Sequence, residues 1–124
     1  MPAGPVDRDE SLPRRERLRK RREFVAVQGR GRKLHTDCFL VFVLSRDDAA
    51  GPARLGVTVS RKVGGAVERN RVKRLVREVF RRHKTFFPRG SDIVFVAKRG
   101  ALDANYEQVN REIERLCHKH FASS

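Results

Sequence analysis

Acidic residues are scarce in this chain: 15 Asp or Glu face 29 Lys or Arg, for a formal charge of +14 and a pI near 11.3. A compact state with that charge repels itself unless a polyanion screens it, and nucleic acid is the usual partner of so basic a surface. A membrane surface is the rival polyanion. No apolar run approaches the roughly 18 residues of a spanning helix, however, and neither end carries a lipidation motif. The opening stretch "MPAGPVDRDESLPRRE" has no apolar h-region, which argues against a secretory signal and for a cytoplasmic protein without a membrane partner. Only two cysteines occur, Cys38 and Cys117; they make no disulfide framework and read as reduced thiols.

Catalytic constellations are missing as well. There is no G-x-S-x-G, P-loop, H-E-x-x-H or C-x-x-C. "CHKH" brings Cys117, His118 and His120 close in sequence, but on a helix Cys117 and His120 share a face while His118 points away. Cys117 fits an apolar stripe better than a metal site. A two-metal nuclease needs clustered carboxylates. Asp47 and Asp48 sit in a turn-like stretch and Asp92 opens a strand, so no such cluster is legible and an autonomous nuclease is not indicated. The expectation is a protein with no catalytic residue, no metal and no cofactor of its own.

What the sequence does contain is one domain's worth of patterned chain. Its 124 residues can bury a core without staples. Residues 1 to 13 hold three prolines and few apolar groups and read as a disordered lead-in; 14 to 121 form the domain, and 122 to 124 a tail. Within "RRERLRKRREFVAVQGRGRK", Leu18, Phe24, Val25 and Val27 support a short helix near 20 to 28, stopped by Gly29 and Gly31. "CFLVFVL" (38 to 44) is a strand apolar on both faces, with a possible short strand near "KLHT" before it. In "RLGVTVS" (54 to 60), Leu55, Val57 and Val59 alternate with Gly56, Thr58 and Ser60, giving a strand with one small, polar face. "DIVFVA" (92 to 97) is a further strand. A final helix runs from an N-cap at Asp103 through Tyr106, Val109, Ile113, Leu116 and Cys117. The order is α-β-β-α-β-α. Its β-α-β unit makes strands 54 to 60 and 92 to 97 parallel neighbours, with a right-handed crossover as the physical default. Helices on one face of the sheet, leaving the other open, give an α+β sandwich.

The helix of that unit carries the strongest signal. "VERNRVKRLVREVFRR" (67 to 82) has seven Arg or Lys and two acids. Val72, Leu75, Val76, Val79 and Phe80 form one apolar face, which leaves Asn70, Arg74, Arg77 and Arg81 on the other. A merely solvated helix pairs acids with bases one turn apart. Glu78 could serve Arg74 or Arg82, and most of the cations stay unmatched. The aromatics leave two readings open. Phe24 and Phe42, flanked by Arg19, Arg22 and Lys33, would suit bases stacking on rings with phosphates on cations. Phe39 and Phe42 are equally well explained as core residues on opposite strand faces.

The stretch "RLGVTVSRKVGGAVERNRVKRLVREVFR" resembles the signature of the bacterial ribonuclease P protein component, an R-N-R helix entered from a Ser-[Arg/Lys]-Lys-x-Gly loop. The resemblance extends to "RLRKRREFVAV" and "DIVFVAKRGALDANYEQVNREIERL", covering roughly 16 to 121. It implies a small subunit, monomeric before assembly, of a ribonucleoprotein in which a catalytic RNA subunit, with Mg²⁺, removes the 5′ leader of precursor tRNA. It implies a ribosomal-protein-like α+β two-layer sandwich, a mixed sheet with helices, whose β-α-β crossover is left-handed, against the default. Carried over by position, it assigns Arg61, Lys62, Arg69, Asn70, Arg71, Lys73, Arg74 and Arg77 to RNA contact. Phe24, Phe42, Lys98 and Arg99 match positions of the family's leader-binding cleft between the first helix and the sheet, and Arg19, Arg22 and Lys33, which flank the two rings, are assigned to it with them. Where the family often has a second aromatic one turn after Phe24, this chain has Gln28. A ribosomal or other structural RNA-binding protein without a processing role is the alternative.

Overall fold

The computed structural model describes residues 12 to 46 and 51 to 121. Most of the proposed lead-in, Asp47, Asp48 and the tail at 122 to 124 lie outside the described residues. Leu12 does not belong to a disordered segment: it is 1% exposed and packs into the core, just ahead of a 3-10 turn at Arg14–Glu16.

The first helix, α1 (Arg21–Arg30), starts without a side-chain acceptor at Lys20. Glu23 compensates by reaching back, accepting the backbone N–H groups of Arg19 and Lys20 at 3.0 Å each. The hydrogen bond from Lys20, opposed by burial, holds the Glu23 carboxyl below its usual range. The helix runs through Gly29 rather than stopping there, and Gly31 ends it. Strands β1 (Arg32–His35) and β2 (Phe39–Ser45) follow as an antiparallel pair, then β3 (Arg54–Thr58), the basic helix α2 (Ala66–His83), β4 (Ser91–Ala97) and α3 (Tyr106–His120). β3 stops short of Ser60 because the chain turns there, with the Val63 N–H donating to the Ser60 carbonyl at 3.0 Å. α3 is capped by Asn105, not Asp103: the Asn105 side chain accepts the Gln108 N–H at 2.9 Å. Asp103 instead closes a 3-10 turn over Arg99–Leu102.

The sheet order is β1-β2-β4-β3, with β2 and β4 antiparallel and β3 and β4 parallel neighbours. β4 is central, which is why it is apolar almost throughout. One face carries the main core. Phe39, Val41, Leu55, Val57, Ile93 and Phe95 meet Val72, Val76, Val79 and Phe80 of α2, together with Val109, Ile113, Leu116 and Cys117 of α3. Each such side chain contributes roughly 1.5–3 kcal/mol by leaving water. The Phe39 and Phe95 rings meet edge to face, 5.4 Å apart.

The opposite face is only partly open. α1 lies across β2 and β4 and forms a second, smaller cluster in which Leu18, Val27 and Phe24 pack on Val94, Phe42, Leu44 and Val96. Phe39 and Phe42 therefore do serve opposite faces. Asp92, at the start of β4, accepts from Arg46 at 2.7 Å and from Arg54 at 2.8 and 2.9 Å. Both carboxylate oxygens tie strands together, and neither is left free for a metal.

Candidate RNA interface

The register across the sheet sets the geometry of the α1 face. Lys33, Phe42, Val94 and Gly56 lie directly opposite one another in one row across β1, β2, β4 and β3. At the β3 end of that row the Phe24 ring lies on Gly56. A Cβ at Gly56 would stand 2.5 and 2.7 Å from two ring carbons, so no larger residue fits beneath the ring. The small face of "RLGVTVS" is the seat for this aromatic.

Beside the seat runs a groove of about 420 Å³. Arg19 and, from α1, Arg21, Phe24, Val25 and Gln28 form one wall, Val57, Thr58 and Val59 the floor, and Lys73 of α2 the far side. Residues 21, 24, 25 and 28 recur at helical spacing, so one face of α1 supplies a cation, a ring and an amide together. The sequence assignments included Arg19, Phe24 and Lys73 but missed Arg21, Val25 and Thr58. The helical period and the strand alternation could have found all three.

The remaining cleft candidates do not converge on this groove. Arg22 lies on the other flank of α1, in a depression of about 480 Å³ shared with Arg30, Arg46 and Arg54. Phe42 is half-buried in the smaller cluster, and exposed Lys33 sits opposite it on the next strand. The Lys98 ammonium donates to the Thr36 carbonyl at 2.7 Å, and Arg99 is exposed at the start of its 3-10 turn.

The outer face of α2 and the loop before it hold the other set. Arg61, Lys62, Asn70 and Arg74 are exposed, whereas Arg69, Lys73 and Arg77 are half-buried. Among the described residues, none of these six cations has a carboxylate within ion-pair distance. Glu78 pairs with Arg82 at 3.5 Å, an exposed contact one turn on. Arg77 has the opposite of a counter-ion: burial first, and then the charge of Arg17, lower the pKa of its guanidinium. A bound anion would relieve that repulsion.

Arg71, also assigned to RNA contact, is half-buried. Its guanidinium turns inward and donates to the backbone carbonyls of Leu102 and Ala104, the latter at 3.3 Å. These two bonds tie the start of α2 to the segment before α3.

Among the described residues no group of three or more His, Cys, Asp or Glu is placed to hold a metal ion. Cys117 is buried and His118 exposed, and the His120 Nδ1 accepts from Arg32 at 2.8 Å. Burial pushes the Cys38 and Cys117 thiols up to about 12 each, so both stay protonated in the core. Among the described residues no helix is long and apolar enough to cross a membrane.

Unpaired cations along one helix, adjoining a groove with a ring at its wall, define an RNA-binding α+β domain. The chain belongs to the ribonuclease P protein family: the Ribonuclease P family model matches residues 12 to 120. It is 53% identical over 104 residues to the ribonuclease P protein component of Desulfovibrio desulfuricans, covering 82% of this chain and 80% of that one. It is 44% identical over 101 residues to the Thermotoga maritima protein component, covering 82% and 84%. The solved structure of the Staphylococcus aureus RNase P protein superposes with a TM-score of 0.74 at 30% identity, over 86% of this chain and 96% of that one.

Proposed function

We propose that this chain serves as the protein subunit of ribonuclease P, holding the catalytic RNA on the α2 face and the 5′ leader of precursor tRNA in the groove between α1 and β3. The observation that carries the reading is the Phe24 ring seated on Gly56, at the wall of a groove that Lys73 of the basic helix also lines. A leader that stacks a base there meets cations of α1 on one side and of α2 on the other.

The chemistry of the chain's own residues is electrostatic and positional. Cations of α2 and of the Arg61–Lys62 loop neutralise phosphates where two polyanions converge, which lowers the divalent cation needed to hold them together. The ring and the Gln28 amide favour an unpaired leader over mature tRNA, which has none. The chain supplies no general acid or base; Mg²⁺ acts on the RNA subunit and is no cofactor of the protein. The protein is monomeric before assembly and works in the cytoplasm, a setting that its two free, buried cysteines suit.

The test is reconstitution. RNA-free protein with precursor tRNA and Mg²⁺ should give no specific 5′ cleavage. Added to the RNA subunit, it should restore cleavage at Mg²⁺ levels where the RNA alone is poor. Binding of the RNA without any change in processing would favour a structural RNA-binding protein instead.

A further inference from the structure

The segment that joins β4 to α3 is fastened at three points. Arg71 holds the carbonyls of Leu102, the last residue of the 3-10 turn, and of Ala104 two residues on. The Leu102 side chain lies against Gly64, where an added Cβ would stand 2.8 Å from a Leu102 methyl and 3.2 Å from the Cβ of Glu68. At its other end the Lys98 N–H donates to the Cys38 carbonyl at 2.8 Å, and the Lys98 ammonium to Thr36. Ala101 and Ala104 are buried beneath, at 1% exposure each.

These contacts join stretches that are distant in sequence. The glycine loop carries Arg61 and Lys62, the first turns of α2 carry Arg69 and Asn70, and the clamped segment carries Arg99. All of these side chains except half-buried Arg69 are exposed. Without Arg71 the segment bearing Arg99 would keep the Lys98 bonds and its apolar packing but lose both hydrogen bonds that tie it to α2. A guanidinium can span two carbonyls two residues apart because its donors are fixed in a planar fork, whereas an ammonium is a single point. Position 71 therefore requires arginine for its shape.

We propose that Arg71 is a positioning residue of the RNA interface. It sets the separation of Arg99 from the Arg61–Lys62 loop and the start of α2, so that cations from three stretches meet phosphates at fixed spacing. This rests on the reading of the α2 face as an RNA surface.

The experiment measures affinity of the full-length protein for the ribonuclease P RNA subunit across a salt series, with amide hydrogen exchange on the free protein. Arg71→Ala and Arg71→Lys should weaken binding to similar extents, on the order of tenfold. Both should speed exchange at Ala101 and Ala104, whose N–H groups bond to Lys98 and Ala101. Leu102→Ala removes no charge, yet it should flatten the slope of log K against log salt, by roughly 0.7–0.9 for each phosphate that slips out of reach. Arg99→Ala should cost less in an Arg71→Lys background than in the parent, because its phosphate is already misplaced. Parent-like affinity for Arg71→Lys would make Arg71 a direct phosphate ligand and overturn the proposal. Faster exchange with unchanged affinity and slope would make it a fold contact alone, which also overturns it. Arg69→Ala and Arg74→Ala serve as controls. If they too bind as the parent does, the RNA-face reading fails; if they weaken binding while Arg71→Lys does not, only the positioning role fails.

Discussion

The ring of Phe24 rests on the backbone of Gly56, close enough that any side chain on the strand would collide with it. This contact fixes α1 over the sheet and leaves one edge of the ring at the groove. Gly56→Ala should tilt or lift the ring. Overpacking of this kind typically costs about 1–3 kcal/mol. Thermal unfolding should show that loss, and binding of precursor tRNA to the assembled enzyme should weaken more than binding of mature tRNA. Unchanged stability would mean that the ring has room to slide.

Phe24→Ala should act in both ways, because the ring is half-buried with Leu18 and Val27 and also lines the groove. A base stack on such a ring is worth about 1–3 kcal/mol. Precursor affinity should fall by about that much beyond any change for mature tRNA, together with a lower unfolding temperature. Equal losses for the two tRNAs would reduce Phe24 to a core residue.

Gln28→Phe is the cleaner test, since Gln28 is exposed and its replacement disturbs no packing. A second ring one turn from Phe24 should tighten precursor binding by about 0.5–1 kcal/mol and leave mature tRNA unaffected. Calorimetry on both substrates decides it; weaker precursor binding would show that the leader needs the amide.

Charge removal on α2 should separate affinity from stability. Arg74 is exposed and Lys73 half-buried, and neither has an ion-pair partner among the described residues. Replacing both by Ala should shift stability by no more than about 0.5 kcal/mol per exposed site. The salt dependence of RNA binding should flatten by roughly 0.7–0.9 for each phosphate left without its cation. An unaltered slope would return the helix to a solvated surface.

Acid stability should report on Glu112, a carboxylate 8% exposed. Burial raises its pKa, but hydrogen bonds from the Thr36 side chain, from Cys38 and from the Gln108 amide outweigh that and leave it below the ordinary 4.5. The folded state thus holds this proton less tightly than the unfolded chain does. The resulting stabilisation is complete above pH 4.5 and disappears as pH falls through the lower folded value. Glu112→Gln should cost roughly 1–3 kcal/mol at neutral pH. The gap to the parent should narrow in urea titrations at progressively lower pH; a constant gap would contradict the assignment.

Periodicity made much of this fold readable. The apolar stripe of α2 and the unbroken apolar run of β4 mark their elements to within a residue or so at each end, because burial on one side or two leaves a direct trace in the sequence. Contacts between distant residues leave no such trace. Gly56 reads as part of a small, polar strand face, and only the packed structure shows that its smallness accommodates Phe24. Leu12, isolated among prolines and polar residues, has no periodic partner, so its burial is illegible. The place of Arg71 in the R-N-R triplet points to RNA, although it flanks the apolar stripe one turn before Leu75 and the fold turns it inward. Asn105 and Asp103 are both good caps, and the 3-10 turn between β4 and α3 decides between them.

Leader capture by the groove beside Phe24 is tested most directly by comparing the affinities of the holoenzyme and of the RNA subunit alone for precursor tRNAs whose leaders are lengthened one nucleotide at a time. The protein's contribution should be near zero for mature tRNA, rise once the leader reaches the groove and then level off, and Phe24→Ala should remove most of the rise. A protein contribution equal for mature tRNA and for every leader length would contradict capture in the groove.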